Sequence, residues 1–376
     1  MITVLHNPER KALGDSYFNS EYVNAISYEA QEGMIPVRGA GYRGKFGGQG
    51  WDGMWTDMSE IVRPTRDGIH GREFISTVVD IGFRPNYLLF DENNQPSGRT
   101  PQVLTLPIPF MFDLPPETNA NDIVAQVTSQ AAAQLESFAV LPIETILSNA
   151  INTKAATPLV SKDNFRKLHQ LPYSPQLIEL DGFDSEVAQF LMQEFSGAIN
   201  VLRIPFTGGD DLLKYIEFGI HTFHMVADYH GRNADGRFVI DLIRDAHTTL
   251  VKAGIRQEVT LIGSGGMIAA EHIPKAIICG LDAIALDTPV LVAMQAKFSG
   301  KCKDRASSKF TLPNNLTIDW GVKRLLNLSA TWRDQLLEIS GAMGIREVRR
   351  MRGELGRAMF MKTLEADAFA GVMGYE

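Results

Sequence analysis

The chain has 376 residues, of which 44% are hydrophobic and 21% charged, and its formal net charge is −8. It is long for one compact domain and short for three. The negative balance argues against nucleic-acid backbones as partners, and the sequence holds no apolar run of about 18 residues that would span a membrane.

The opening MITVLHNPERKALGDS has no basic stretch leading into an apolar block, so no secretory leader is expected. Residues 1–100 lack the rhythm of the central chain and read as an irregular N-terminal arm packing on the main domain. Their most unusual piece is GAGYRGKFGGQGWDGMW, with Gly at seven of its first fifteen positions and four interleaved aromatics. Its glycines suit tight turns and its rings suit packing; a lid or a subunit contact is the other reading. IVRPTRDGIHGREFISTVVDIG continues as turn chemistry followed by a strand.

From about residue 101 to 298, short apolar runs alternate with helical patterns. Strands are expected at Leu104–Phe110, Phe138–Ile143, Thr157–Val160, Leu177–Leu180, Asn200–Phe206, Thr222–Asp228, Val259–Ser264 and Asp282–Leu286. Between them, helices are expected at Asp122–Glu136, Ser185–Phe195, Asp210–Phe218, Phe238–Ala253 and Glu271–Ile278. Runs that are apolar on both faces and alternate with helices are the pattern of a parallel sheet. Eight of them predict a (β/α)8 TIM-type barrel, although the span is short for one and an open doubly wound sheet is the competing topology.

Residues 299–376 read as a C-terminal helical extension. Within it, Trp320–Met343 carries an apolar stripe that ends at Gly344, and the arginines of IREVRRMRGELGR suit a solvated helix face. The two cysteines, Cys279 and Cys302, are read as reduced cytoplasmic thiols, with Cys279 on the inner face of a helix. Two thiols are too few for an iron–sulfur cluster within this chain, and no zinc-binding spacing is present.

The stretch TLIGSGGMIAAEHIPKAIICGLDAIALDTPVL contains two successive strand–turn–helix units. Ser264, Gly265 and Gly266 in the first turn suit the phosphate site of a barrel, where loop N–H groups and a helix N-terminus hold an anion. A dinucleotide fingerprint does not fit, because Ile268 stands where its last glycine would be.

This stretch resembles the end of the FMN-binding barrel of the glutamate synthase family, in which a Ser-Gly-Gly turn is followed by a helix, a Gly-Ala-Asp strand and a Gly-Thr-Ala turn. NVLRIPF, HMVADYHGRNADG, DLIRDAHTTLVKAGIRQEV and the helices from WGVKRLLNLSATWRDQ onward line up in order. The resemblance implies an FMN site built from Ser264, Gly265, Gly266, Arg203, His230, Arg232, Asp287 and Thr288. Arg203 stands in place of a lysine beside the flavin, where a cation stabilises the reduced anion.

The departures are as specific. No cysteine cluster follows strand eight, the family's Ala-Lys-Pro-Gly loop has no counterpart, and there is no N-terminal cysteine nucleophile for a glutaminase half. Asp287 and Pro289 occupy the second turn. A carboxylate about 5 Å from a phosphate costs on the order of 3 kcal/mol, and a proline in place of an N–H donor forfeits about 1.5–3 kcal/mol more. Thr288 as cap and Pro289 in the first turn also make a sound helix start, with Asp287 favouring its N-terminus.

The implied function is a cytoplasmic, FMN-binding oxidoreductase subunit, a homo-oligomer or part of a redox complex, exchanging electrons with a partner chain. The alternatives are a flavin-free barrel kept as scaffold or regulatory subunit, and an unrelated phosphate-sugar or amino-acid barrel enzyme.

Overall fold

The computed structural model describes residues 15–34, 48–56, 74–98, 100–206, 209–299, 302–304 and 307–374. Much of the glycine-rich arm (residues 39–47) and of the lead-in before the first strands (residues 62–73) lies outside these. Eight parallel strands close into a barrel: β1 Phe110–Phe112, β2 Ala139–Pro142, β3 Ala156–Val160, β4 Leu177–Asp181, β5 Ile199–Pro205, β6 Thr222–Val226, β7 Thr260–Ser264 and β8 Ala283–Leu286. Closure comes from β8 pairing with β1 through Ile284–Phe110, Ala285–Met111 and Leu286–Phe112. The open sheet is therefore excluded.

Seven of the eight strands fall where the alternating pattern places them. The first does not. Leu104–Phe110 is expected to open the barrel, but its first half belongs to a strand Gln102–Leu106 that pairs antiparallel with Val79–Phe83 outside it. Pro107 and Pro109 interrupt the run, since neither has an N–H to give to a ladder, and the barrel strand begins only at Phe110. The short span is accommodated by economical connections. Between β2 and β3 there is a six-residue helix, Ile143–Ser148, and between β3 and β4 only the 3-10 segment Phe165–Gln170.

Alternation sorts the strand residues into two cores. Phe110, Phe112, Phe223 and Leu261 face outward, buried beneath the helices, and the ring of Phe110 lies 6.4 Å from that of Trp332. Trp332 belongs to the helix Ile318–Ala342, which ends at Gly344 in the left-handed conformation (φ 69°). Gly344 is the expected stop. The arginines beyond it are not on a helix. Val348–Met351 and Leu355–Arg357 are single 3-10 turns, and Gly353 (φ 75°) lies between them.

The N-terminal arm contains a helix, Ser20–Glu32. Asn19 Oδ1 accepts from the N–H groups of Glu21 and Tyr22 at 3.0 and 3.2 Å, and Gly33 (φ 68°) closes the other end. It packs along Ile318–Ala342, where Trp332 Nε1 donates to Glu29 at 2.9 Å. Further on, Met54–Thr56 pairs with Ala358–Phe360, so the arm and the C-terminal extension form one outer layer. Cys279 is buried against Met54, with 3.6 Å between the sulfurs, and burial pushes its thiol up to about 12. Among the described residues no helix is long and apolar enough to cross a membrane.

Thr260 and Gln102 join the outer strand pair to the barrel, and Gln102 Nε2 donates to the Ser196 and Ala198 carbonyls, both at 3.0 Å. Thr260 Oγ1, at the start of β7, accepts from Gly82 N and donates to Gly82 O, both at 2.9 Å and both buried. Thr260→Val keeps the shape and removes both bonds. It is expected to cost about 2–3 kcal/mol, because buried backbone groups lose their partners. Urea unfolding at neutral pH would measure this, and a change under about 0.5 kcal/mol would show that the strand pair is not held through Thr260.

Candidate functional site

The loops at the C-terminal ends of β7 and β8 are buried throughout. Ser264 closes β7, and its Oγ has no hydrogen-bond partner among the described residues. Gly265 and Gly266 come next, with φ of 95° and 73°. A side chain cannot be added at either. A Cβ on Gly265 would lie 2.6 Å from the carbonyl oxygen of Asp228, and one on Gly266 would lie 2.6 Å from Cα of Gly231. The glycines thus allow the loop after β6 to lie directly on the loop after β7.

Aromatic groups of the N-terminal arm seal this turn from outside. The Gly266 carbonyl accepts from Tyr17 OH at 2.6 Å and from Trp51 Nε1 at 3.0 Å. Trp51 stacks on His272 with ring centroids 5.4 Å apart, and the Lys275 ammonium donates to the Trp51 carbonyl at 2.7 Å. Burial, together with Lys275, keeps His272 well below the ordinary histidine value and therefore neutral.

The turn after β8 is built differently. Asp287 caps the helix Thr288–Ala293, its carboxylate accepting from the Thr288 backbone N–H and from Thr288 Oγ1. Pro289 in the first turn has no N–H to offer. Asp287 is 2% exposed. Burial pushes its carboxyl up to about 7, helped by the nearby Asp113 and opposed by the Thr288 N–H.

Inside the barrel, Arg203 does not present a free cation. Its guanidinium grips Asp113 through two nitrogens at 2.7 and 3.0 Å and reaches Glu179 at 3.2 Å. His224 Nδ1 lies 2.8 Å from the second Glu179 oxygen, as a donated N–H would place it, while Nε2 is unpartnered 3.7 Å from Asp113. Burial alone would raise Asp113, but Arg203 and His224 hold it down at about 2. No motif in the sequence marks Asp113, Glu179 or His224 as site residues. The signal that could find them lies in FMFD, LIEL and TFHMV, each placing one ionisable residue in or against an otherwise apolar strand.

His230 and Arg232 lie on the outer rim. His230 Nε2 is 2.6 Å from Asp15, and its ring stacks on Tyr17 at 5.2 Å. Asp15 also accepts from the Cys302 N–H at 2.9 Å, which ties the arm to the segment after the barrel. Although burial opposes it, His230 and three backbone N–H groups hold Asp15 down at about 2. Arg232 donates to the Gly236 carbonyl at 2.7 Å and lies over the Phe238 ring. Both border a rim cavity of about 360 Å³ together with Tyr17, Trp51 and His272. The eight residues expected at one site thus fall into three groups: the two adjacent turns, the outer rim and the barrel interior.

Residues 227–346 match the model of the conserved region in glutamate synthase. Over this part of its length the chain is similar to glutamate synthase. Over 114 residues it is 31% identical to the archaeal glutamate synthase [NADPH] of Methanocaldococcus jannaschii, covering 29% of this chain and 22% of the relative. The corresponding protein of Archaeoglobus fulgidus is 32% identical over 106 residues, 27% of this chain and 21% of its own length. The glutamate-synthase-like match thus spans about a fifth of the curated relatives. Among solved structures, a doubly substituted flavocytochrome b2 with sulfite bound superposes with a TM-score of 0.53 at 12% identity, over 94% of this chain and 85% of that one. A singly substituted flavocytochrome b2 with benzoylformate gives 0.51 at 13% identity, over 94% and 89%. This second likeness is one of fold.

The matched region contains both turns, and they differ in fitness for the phosphate of a flavin mononucleotide. The turn after β7 carries donors of the kind that hold an anion. It offers an unpartnered buried hydroxyl and two successive left-handed glycines, whose N–H groups can converge on one point. At the turn after β8, the Thr288 N–H is already taken by Asp287.

Two outcomes are expected for this barrel. Removing the Arg203 charge leaves Asp113 and Glu179 buried without their cation, so Arg203→Met is expected to cost about 3–5 kcal/mol in urea unfolding. For Asp287 the folded-state value lies above the ordinary 3.8, so the folded chain holds this proton more tightly than the unfolded one. That stability is present in full below about pH 4 and is lost as pH rises through about 7. Asp287→Asn keeps a capping oxygen and cannot ionise. Its stability gain over the wild type should therefore grow between pH 5 and pH 8, reaching about 2–4 kcal/mol. A gain independent of pH would show that Asp287 is not ionising in a dry site.

Proposed function

We propose that this chain is a glutamate-synthase-like oxidoreductase subunit that binds FMN at the rim of β7 and β8, acting in the cytoplasm as a homo-oligomer or within a redox complex. The observation that carries the reading is the buried, unpartnered Ser264 hydroxyl beside Gly265 and Gly266, inside the region matching the glutamate synthase model. In this reading Ser264, Gly265 and Gly266 hold the phosphate. Thr288 adds its hydroxyl or N–H once Asp287 is protonated or turned aside. The flavin, when bound, supplies hydride and single-electron transfer. The protein's part is to exclude water, through Tyr17 and Trp51, and to fix the charge of the mouth through Arg203 and its two carboxylates. In this reading the partner chain is the electron donor or acceptor; the relatives' printed name, glutamate synthase [NADPH], supports a redox role in general.

A second reading, a flavin-free barrel serving as scaffold or regulatory subunit, is favoured by two observations. Asp287 occupies the Thr288 N–H, and Arg203 is fully committed to internal carboxylates.

Fluorescence-quenching titration with FMN separates the two. The expected result is micromolar binding by the wild type and at least about tenfold tighter binding by Asp287→Gly, equivalent to about 1.4 kcal/mol. Equal affinities would keep the flavin and assign Asp287 to capping alone. Absence of binding by both proteins at micromolar FMN would remove the flavin and leave the scaffold reading.

A further inference from the structure

A cavity of about 700 Å³ opens at the opposite end of the barrel, under the N-terminal ends of β7 and β8. Its floor and walls include Val79, Val103, Val251 and Leu281. Five arginines line it, Arg84, Arg256, Arg349, Arg350 and Arg352, against three carboxylates, Asp80, Asp282 and Glu354. In a chain of net charge −8 this is a local reversal of sign, and such a reversal in a concave site concentrates anions.

The carboxylates are shared. One oxygen of Asp80 takes Arg84 at 2.6 Å and Arg349 at 3.0 Å, and Asp282 takes Arg256 at 2.8 Å and Arg352 on its other oxygen. Each acid is thus split between two guanidiniums. Arg256 is structural: it also donates to the carbonyls of Val259 and Gly280 and to His247. Arg84 commits one nitrogen to Asp80, Arg349 commits one to Asp80 and turns Nε toward Glu347 at 3.6 Å, and Arg352 also donates to Gln257; each keeps further donors, from a guanidinium total of five N–H groups.

The backbone carrying Arg349–Arg352 is held in place. Ser76 exchanges bonds with this segment on both sides, donating to the Arg346 carbonyl and accepting from the Val348 N–H. Gly353 N donates to the Ile277 carbonyl at 3.2 Å, and the His247 ring fills the space beside Gly353 and Gly280. Burial, then Arg256 and Arg352, push His247 down to about 4, so it adds no charge at neutral pH. The donors are therefore presented by a fixed frame, which lowers the ordering cost of binding.

We propose that this cavity binds a small organic phosphate of about nucleotide size, its dianionic group held by Arg84, Arg349 and Arg352 and its apolar body resting on the valine floor. A phosphate monoester suits the positive balance of the lining residues, which Glu347 beside Arg349 and Arg350 reduces but does not cancel, and the fork geometry of arginine. The volume falls within the range of small-molecule sites, about 300–1,000 Å³. The inference is independent of whether flavin binds at the rim.

Isothermal titration of the full chain with AMP, adenosine and inorganic phosphate tests it. AMP is expected to bind with a Kd below about 100 μM, more weakly as salt is raised, with adenosine and inorganic phosphate each at least about tenfold weaker. Arg84→Gln with Arg349→Gln should weaken AMP by at least about tenfold. Val251→Asp, on an exposed wall position (52%), should do the same by adding a carboxylate without disturbing the core. No AMP binding at about 1 mM, or equal affinity for AMP and adenosine, would overturn the proposal. So would AMP binding unchanged by both the arginine pair and Val251→Asp.

Discussion

A guanidinium enclosed in a barrel has to be matched there, and the mouth of this barrel is arranged around that match. Taking Arg203 out of water costs several kcal/mol unless carboxylates offset it. Asp113 from the end of β1 and Glu179 from β4 do so, and His224 from β6 takes the remaining Glu179 oxygen. Four strands are thereby tied at the mouth of the barrel by ionic contacts. The ionic group also sets the charge seen by everything above it. With two carboxylates to one guanidinium, it makes the neighbouring Asp287 carboxyl harder to ionise.

The rim above is built from close approach. Gly265, Gly266 and Gly231 bring two loops into backbone contact, and the arm covers them with Tyr17 and Trp51. Such glycines have a packing reason of their own, so their presence in a sequence does not by itself prove a ligand. The unpartnered Ser264 hydroxyl is different in kind, because packing alone gives it no partner. The two turns divide the question between them. The one after β7 leaves a buried hydroxyl without a partner, and the one after β8 places a carboxylate of the chain itself on the first N–H of its helix.

The barrel is largely legible because strands buried on both faces read as continuous apolar runs. The misplaced first strand shows where that signal fails, since LTLPIPF is apolar except for Thr105 and its prolines mark the break between an outer strand and a barrel strand. The helix Ser20–Glu32 carries Asn19 and Gly33 as end signals, but its apolar stripe is too modest to announce it. The arginine tail has helical charge spacing, and only its glycines, which break the run into single turns, argue otherwise. The interior charges are hidden for a stronger reason. Residues 113, 179, 203 and 224 meet only when the sheet closes, and no spacing along the chain encodes that meeting.

Asp15 has a bearing on how the molecule is made. It contacts His230 and the backbone of Cys302, across separations of 215 and 287 positions, and Tyr17 reaches Gly266 across 249. Loops of that length close late, since the entropy of bringing their ends together is lost before any contact rewards it. A ribosome delivers the arm first, yet its docking site is complete only after β6, β7 and the segment around Cys302 have emerged. Through most of translation the arm therefore waits with Phe18 and Trp51 uncovered, and the nascent barrel has an unsealed rim. Both are exposed apolar surfaces of the kind that chaperones hold and that aggregates recruit.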